Sequence, residues 1–508
     1  MFATVEALPT AGHYTIAGGH GPRYDADQDA MTRDLGRLTA RTFDVLVVGG
    51  GIYGLTIAYD CAQRGLTVAL VDRGDFGSGA SFNHLRTIHG GLRYLQALDI
   101  GRARESVRER RTFARIAPDA VRLQPFVLPL RRSVTRGVNA MRAGFALDGF
   151  VAFDRNQGVS ANLQVPGGTV LSRAETVRRF PTLDAPGLTG AAMWHDYVST
   201  ESDRLTLSFG LAAVACSAVL FNYVAATAPL KEGGRVSGIR AADGPTGRPL
   251  EIAARVTVNA AGAGVNDWVG ATGHTAIPLV RAMNLVTRRD AGYVAVGGRS
   301  RSGRNLFQVP WKNRQLFGTW EAGRLSDSTE AGLEADVSAF IDEVNQAFPA
   351  VALKLSDVTL VHRGLVPAAA GVRPGHIGLA RHERVIDRND NVITVAGTKY
   401  TTARAVAQRV TDAVFKKLGR PAVPCRTDVT PLPFKRDVEL VNAVRDEMVV
   451  TLADAVLRRT PLGAVGCPSD TELAQAAAIV SAELGWSSER TAQEIADVRR
   501  FYAPVGAV

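Results

Sequence analysis

Cysteine and lysine are both scarce in this 508-residue chain. The four cysteines, Cys61, Cys216, Cys425 and Cys467, form no Cys-x-x-Cys pair. That spacing argues against a zinc ribbon, an iron–sulfur cluster or a disulfide scaffold, and no metal ligand set is expected. A reducing intracellular compartment is the simplest context for so few thiols. No stretch holds 18 consecutive apolar residues, so a helical membrane span is not expected. The opening MFATVEALPT lacks a basic start followed by an apolar run, so no signal peptide is expected. No zinc finger, recognition-helix signature or aromatic–basic repeat is present, which argues against a nucleic-acid partner. The expected location is cytoplasmic, with peripheral attachment to the cytoplasmic membrane face left open.

What is abundant is apolar surface and arginine. The chain is 46% hydrophobic and 21% charged, enough for a sizeable core. At about 150 residues per domain this length suggests two to four domains. The formal charge of +10 comes from 52 arginines and only seven lysines, set against 49 acidic residues. A surface of that sign favours anionic partners: a phosphorylated metabolite, a membrane face or nucleic acid.

Residues 1–40 read as a glycine-rich, partly disordered extension that could hold one short helix in MTRDLGRLTA. Order begins at FDVLVVGGG. The β-branched run Val45–Val48 suits a buried parallel strand, and Leu55, Ala58, Tyr59 and Ala62 then recur at helical spacing until Gly65. LTVALVDR supplies a second strand, completing a β–α–β unit. Further on, residues 101–119 and 203–219 read as helices, 123–132 as an extended segment broken by prolines, and RVSGIRAAD and EIAARVTVNAAGAG as strands. GRNLFQVPWKNRQLFGTW has β-like aromatic content. Residues 333–348 and 400–418 read as helices flanking a short strand at 391–397, and three helical segments follow a proline-containing linker at 421–434.

Gly49-Gly50-Gly51-Ile52-Tyr53-Gly54 satisfies Gly-x-Gly-x-x-Gly between that strand and helix. Gly49 permits the tight turn, Gly51 allows close approach of a pyrophosphate, and Gly54 lets the helix pack on the sheet. The pyrophosphate would sit over the helix N-terminus, where free N–H groups and the helix dipole favour negative charge. Asp72 ends the next strand, 18 residues after Gly54, and is placed to accept ribose hydroxyls. The fingerprint implies a dinucleotide without choosing FAD or NAD.

The residues that follow carry a resemblance. DFGSGASFNHLRTIHGGLRYLQ at 75–96 resembles the signature of FAD-dependent glycerol-3-phosphate dehydrogenases, within the D-amino-acid oxidase-like flavoprotein group. VTVNAAGAGVNDW, GVRPGHIGLARHERVID, VAGTKYTTAR and AVRDEMVVTLADAVLRRTPLG resemble later segments of that family, in the family's order, from Phe43 to Phe501. The resemblance implies an FAD-binding Rossmann-like α/β domain (segments about 41–100, 200–275 and 370–420). This is interleaved with an α+β substrate-binding domain (about 101–199 and 276–369) and followed by a small all-helical C-terminal domain at 435–508. FAD is the implied cofactor. Ser78, Ser81, Gly90, Gly91, Asn259, Gly262 and Thr401 are implied contacts to it, with Gly90 and Gly91 letting backbone approach the ring. The helix from Thr401 would point N–H groups at the flavin pyrimidine.

Arginine's planar fork suits phosphate oxygens, whereas lysine acts as a point charge. By resemblance Arg93, Arg373, Arg381 and Lys399 line a substrate-anion pocket, with Tyr94 a candidate hydroxyl donor. His89, whose type titrates near neutrality, is the candidate base for an alcohol proton, its other reading being cofactor positioning or packing. Arg373 is the alternative stabiliser of developing oxygen charge.

The implied reaction is oxidation of sn-glycerol 3-phosphate to dihydroxyacetone phosphate, with electrons passed to a quinone-type acceptor. The alternatives are an FAD-dependent dehydrogenase or oxidase acting on another hydroxylated or phosphorylated metabolite, and a catalytically silent flavoprotein interaction module. A homodimer is compatible with all three. Arg131-Arg132-Ser133-Val134-Thr135-Arg136 and the segment after it form a candidate contact with an anionic membrane, or else a solvated loop and a buried helix. Three departures from the family stand out. Arg86 replaces a usual lysine, Trp320-Glu321 replaces a Thr–Asp pair and is expected to alter a substrate wall, and the sequence after Pro433 is shortened.

Overall fold

The computed structural model describes residues 30–95, 97–183, 185–268, 276–369 and 377–503. Two sheets organise it. The first runs Arg384–Asp387, Val392–Ala396, Pro249–Asn259, Phe43–Val48, Val68–Val71, Val219–Phe221, with an antiparallel pair, Val224–Glu232 and Arg235–Asp243, attached through Pro249–Asn259. Phe43–Val48 lies parallel to both neighbours, with Val45 opposite Val68 and Val256, and every residue in it is buried. A fully buried strand can be apolar on both faces, which is why its sequence runs without alternation. The helix Ile52–Gln63 covers one face together with Ser202–Ala215 and Ala403–Lys417, whose side chains share its core.

The fingerprint turn needs its glycines for packing as well as for φ. Gly49 sits at φ 108°, and a Cβ there would lie 2.5 Å from the Ala260 carbonyl oxygen. A Cβ on Gly54 would lie 1.7 Å from the Gly49 carbonyl oxygen, so the helix cannot approach the strand with any other residue there.

The second sheet runs Val358–Pro367, Leu279–Asp290, Arg314–Leu325, Asn305–Trp311, Ala295–Arg299, Val121–Arg131, Leu188–Ser199, Thr87–Ile88. The aromatic segment forms a hairpin across Lys312 and Asn313, at φ 47° and 58°, the two-residue turn whose twist suits paired strands. Pro125 and Pro129 lie within Val121–Arg131, paired along its length with Leu188–Ser199. The partner on the other side, Ala295–Arg299, reaches only Phe126 and Val127, so neither proline has to donate to a ladder there.

Several element ends differ from the sequence reading. The helix expected to 219 stops at Ala215, because Ser217 turns left-handed (φ 67°) and Val219 opens a strand. The first C-terminal helical segment breaks after Asp446 at Met448 (φ 52°) and resumes at Leu452. Residues 30–40, assigned by sequence to the leader, are docked: Met31 and Leu38 are buried and Met31 N–H donates to the Asp446 carbonyl at 2.9 Å. The C-terminal helices share a core with Phe82, Leu85 and Trp311. They are also tied to the nucleotide domain by a buried ion cluster. Asp75, directly after the Asp72 strand, accepts from Arg459 at 2.7 and 2.8 Å and from Arg458 at 2.6 Å.

Candidate active site

The dinucleotide cradle assembles as the fingerprint requires. Asp72 accepts from Gly50 N–H at 2.5 Å and from Gly74 N–H at 2.7 Å, which curls the loop after the second strand around the glycine turn. Burial pushes the Asp72 carboxyl up to about 6, against the two backbone donors. Ser81, implied by resemblance alone, reaches the same place: its Oγ accepts from Ile52 N–H at 2.8 Å, at the first turn of the fingerprint helix. Ser78 lies in the same loop, its Oγ beside Gly74. Gly262, at φ 56°, lies in the loop that follows Asn259. Asn259 folds that loop back by donating to the Val265 carbonyl at 3.0 Å. These residues fit a dinucleotide: a floor made of glycine backbone, and a buried carboxylate at the strand end. Nearby, the Thr398 hydroxyl is buried with no hydrogen-bond partner among the described residues.

Tyr53, an unassigned position of the fingerprint, joins this cradle to the late Gly–Thr–Lys segment. Its hydroxyl donates to the Lys399 carbonyl at 2.8 Å and accepts from Thr398 and Lys399 N–H at 3.2 Å each. The sequence signal for it was a bulky side chain where the motif tolerates any residue.

Lys399 is thereby held beside Arg93 and Glu321. Burial pushes its amine down to about 8, with Arg93 and Arg102 adding to the shift and Glu321 opposing it. Glu321 is shifted up by burial, opposed by Arg304, Arg93 and Lys399. It forms an ion pair with Arg304, whose Nη2 also donates to the Glu321 carbonyl at 2.9 Å. Neither Arg93 nor Lys399 pairs directly with the carboxylate, and Arg93 is exposed. Two cations thus act electrostatically on one carboxylate.

Glu321 was missed. Trp320, expected to alter a substrate wall, lies with Arg304 5.4 Å from its ring. In the strand Arg314–Leu325 side chains alternate, so Thr319 and Glu321 share a face and Trp320 points to the opposite one. There it is buried, stacked on Phe340 at 5.7 Å, and its indole N–H donates to Glu343 at 3.3 Å.

His89 follows the short strand Thr87–Ile88, with its side chain half exposed. Its N–H donates to Thr401 Oγ1 at 3.2 Å, so Thr401, implied as a cofactor contact, ties two site segments together. The helix beyond begins at Ala403 rather than Thr401, with Thr402 as its N-cap residue. His89 Nδ1 lies 3.6 Å from Asp196 Oδ2. Gly90 N–H donates to Asp196 Oδ1 at 2.7 Å, and a Cβ on Gly90 would fall 2.1 Å from Arg110 Nη1. Gly91, at φ 85°, packs against Ala103 and Ser106.

Tyr94 packs in a small core with Leu95, Ala103 and Val151, and the Arg102 guanidinium lies 5.9 Å from its ring. Its side chain is also hydrogen-bonded with Arg102. Arg102, missed by sequence in a helix read only as charged, is buried and contacts Glu105 at 2.5 Å, Glu383 at 2.7 Å and Thr402 Oγ1 at 3.2 Å. Arg381 is exposed, and no contact among the described residues brings it to Lys399 or Arg93. Arg373 lies outside the described residues. Arg86 is fully buried under Trp311, at 4.8 Å, and bonds Ser202 and Asp203. His84 stacks on Tyr400 at 4.5 Å.

Comparison with known proteins gives the family and the fold. The family described as FAD dependent oxidoreductase matches residues 44–413. The chain is 31% identical over 398 residues to a glycerol-3-phosphate dehydrogenase of Mycobacterium leprae, covering 77% of this chain and 66% of the relative. It is 30% identical over 402 residues to glycerol-3-phosphate dehydrogenase 2 of Mycobacterium tuberculosis, covering 78% and 67%. The chain therefore spans about two thirds of the length of the curated relatives it matches. The glycerol-3-phosphate dehydrogenase of Bacillus halodurans, solved with FAD, superposes with a TM-score of 0.71 at 22% identity, covering 92% of this chain and 96% of that one. With the glycine cradle, the Asp72 carboxylate and the Ser81 contact in place, the cofactor is FAD. The chain is an FAD-dependent oxidoreductase and belongs to the glycerol-3-phosphate dehydrogenase family within the D-amino-acid oxidase-like group.

Proposed function

We propose that the chain oxidises the secondary alcohol of sn-glycerol 3-phosphate, or a close polyol phosphate, to the ketone and passes the electrons to a quinone-type acceptor. What supports this reading is that Arg93 and Lys399 lie close enough to act on each other and on Glu321: Arg93 helps to lower the Lys399 amine, and both cations oppose the upward shift of the Glu321 carboxyl. Two cations suit a phosphate, and a carboxylate held by Arg304 suits a neighbouring hydroxyl. His89, half exposed, accepts the proton of the reacting hydroxyl. FAD supplies the redox step by taking the hydride. Arg93 and Lys399 orient the anion so that the carbinol carbon is presented in one pose.

Anaerobic mixing of the holoprotein with sn-glycerol 3-phosphate tests this. Bleaching of the oxidised flavin band within seconds supports it. Bleaching only by another phosphorylated polyol would transfer the assignment to that substrate, and no bleaching by any would defeat it.

An anionic membrane face is the proposed site of work. The helix Val138–Val151, one of whose readings was a buried helix, buries only Met141, Phe145 and Val151. Phe150 and Phe153 stand 81% and 79% exposed, with Val134 96% exposed between Arg132 and Arg136. Exposed apolar side chains with arginines beside two of them, Arg132 and Arg136 flanking Val134 and Arg104 at 4.8 Å from the Phe153 ring, suit an acidic headgroup layer. No described helix is long and apolar enough to cross a membrane. Co-sedimentation with phosphatidylglycerol vesicles, lost in F150S/F153S and absent with phosphatidylcholine alone, is the expected result. Equal binding by the double variant would remove this surface from the reading.

A further inference from the structure

Asp196 lies in the strand Leu188–Ser199, which pairs antiparallel with Thr87–Ile88 so that Thr87 faces Val198 and Ile88 faces Tyr197. Continuing that register by one residue sets His89 opposite Asp196. Directly opposed residues have Cβ atoms about 5 Å apart, so the contact is built by the sheet rather than by a loop. Asp196 is only 3% exposed. Its two oxygens are almost fully used. Oδ1 accepts from Gly90 N–H at 2.7 Å and from Arg110 Nη1 at 2.5 Å, while Oδ2 accepts from Trp194 Nε1 at 3.3 Å and faces His89 Nδ1 at 3.6 Å.

We propose that Asp196 is a positioning residue that holds His89 with its proton on Nδ1, leaving Nε2 as the acceptor for the substrate's hydroxyl proton. The inference rests on the alcohol-oxidation reading above. In the step it serves, the carbinol carbon gives its hydrogen with two electrons to FAD, and the hydroxyl gives its proton to His89 Nε2. The C–O bond becomes a carbonyl. Imidazolium forms as that proton arrives, and a buried carboxylate behind Nδ1 stabilises it at the moment it is needed.

The surroundings support the assignment. Burial alone would raise the Asp196 carboxyl, but the neighbouring His89 imidazole and the charge of Arg110 outweigh it and hold the group below the usual carboxylate range. The other charged and titratable groups facing this pair are Arg110, His84, His195 and Tyr197, together with Asp148 and Arg155 in the cleft that Asp196 also lines. Arg155 pairs with Asp148 at 3.0 Å and Arg110 with Asp196 at 2.5 Å, so among the described residues lining that cleft no further unpaired charge competes for the imidazole. The 3.6 Å separation is longer than a full hydrogen bond. Contacts of this kind tighten when a reacting ligand closes the site.

The decisive measurement is a double-mutant cycle on flavin reduction. Asp196→Asn offers an amide N–H toward Nδ1 and so reverses the tautomer. In the holoprotein it is expected to slow flavin reduction at least about 100-fold. In a His89→Gln background the same change should cost less than about threefold, since there is no imidazole left to hold. A purely structural role would give the same loss in both backgrounds and would overturn the proposal. A second readout needs no substrate. In holoprotein labelled with ¹⁵N-histidine, the His89 signal, identified by its loss in His89→Gln, should report Nδ1 protonated and shift in Asp196→Asn. An unchanged signal would overturn the proposal whatever the substrate. The expected ¹⁵N result with no bleaching by sn-glycerol 3-phosphate would instead place the failure in the functional reading.

Discussion

Lys399 makes the anion pocket a pH-dependent device, and the size of the dependence follows from its surroundings. Burial, with Arg93 next, holds its amine at about 8. With that value the group is about nine-tenths charged at pH 7 and about one-tenth charged at pH 9. If only the ammonium form holds the phosphate, kcat/KM should fall about tenfold between those values, or ~1.4 kcal/mol. A bound anion favours the charged form, so the kcat limb should lie at higher pH than the kcat/KM limb. Stability runs the other way. The folded value lies below the unfolded one near 10.4, so between about pH 8 and 10.4 the unfolded chain holds a proton that the folded chain has released. This group's contribution to stability therefore rises with pH across that window. Alkaline loss of activity from Lys399 thus comes without loss of fold from the same residue. The assay is steady-state oxidation with an artificial dye acceptor from pH 6 to 10, with flavin content and melting temperature measured alongside. Lys399→Arg keeps a charge that does not titrate in this range, so the limb near 8 should vanish. Lys399→Met should lower the plateau at least tenfold and also lack the limb. A limb of unchanged position in Lys399→Arg would refute the reasoning.

Three further outcomes are expected. Gly90→Ala places a Cβ 2.1 Å from Arg110 Nη1 and must displace the Arg110–Asp196 pair; overpacking of about 1–3 kcal/mol should show in thermal denaturation, with flavin reduction falling further than stability does. Asp75→Asn leaves Arg458 and Arg459 buried against a neutral amide and should cost about 3–5 kcal/mol in urea unfolding. Burial raises the Asp75 carboxyl but the two arginines outweigh it and hold it below its unfolded value of 3.8, so its contribution is present above that pH and lost as pH falls below it in acid titrations of the wild type. Tyr53→Phe removes the bonds to the backbone of Thr398 and Lys399, should cost about 1–3 kcal/mol by the same unfolding assay, and should raise KM more than it lowers kcat, because it loosens the lysine and not the base.

The parts of this molecule legible in sequence are those set by neighbours in the chain. The buried run Val45–Val48, the glycine turn and the helical spacing from Leu55 each depend on a few consecutive residues, and all three stand where expected. Asp72 was legible for the same reason, since the distance from Gly54 to the strand end is set by one helix and one turn. Asp196 was not, because its meeting with His89 depends on the register of two strands about a hundred residues apart in the chain. Glu321 stood in a segment already singled out, and strand alternation would have separated it from Trp320. The larger aromatic drew the attention, although in a half-buried strand the side chain facing the core is the bulky one. Helix ends were lost at Ser217 and Met448, non-glycine residues that adopt positive φ without any compositional warning.

The charges around Glu321 bear on what the pocket can hold. Arg304 lies between Glu321 and Glu343, touching the second at 3.1 Å, so two carboxylates share one guanidinium and one negative charge is left over. Arg93 and Lys399 act on it with two positive charges below pH 8, a surplus of one among these five groups. Once Lys399 loses its proton that surplus is gone, and any anion still bound rests on Arg93 and on cations elsewhere. Arg373, outside the described residues, is the sequence's candidate for that role. The two contributions separate experimentally. If Lys399→Met binds inorganic phosphate within about threefold of wild type at pH 7, as read by displacement of substrate, then Arg373 carries the anion and Lys399 only tunes it. If affinity falls tenfold or more and becomes flat with pH, the lysine holds the anion itself, and the scarcity of lysine elsewhere in the chain leaves this position as one where a titrating point charge, and not another arginine, does the binding.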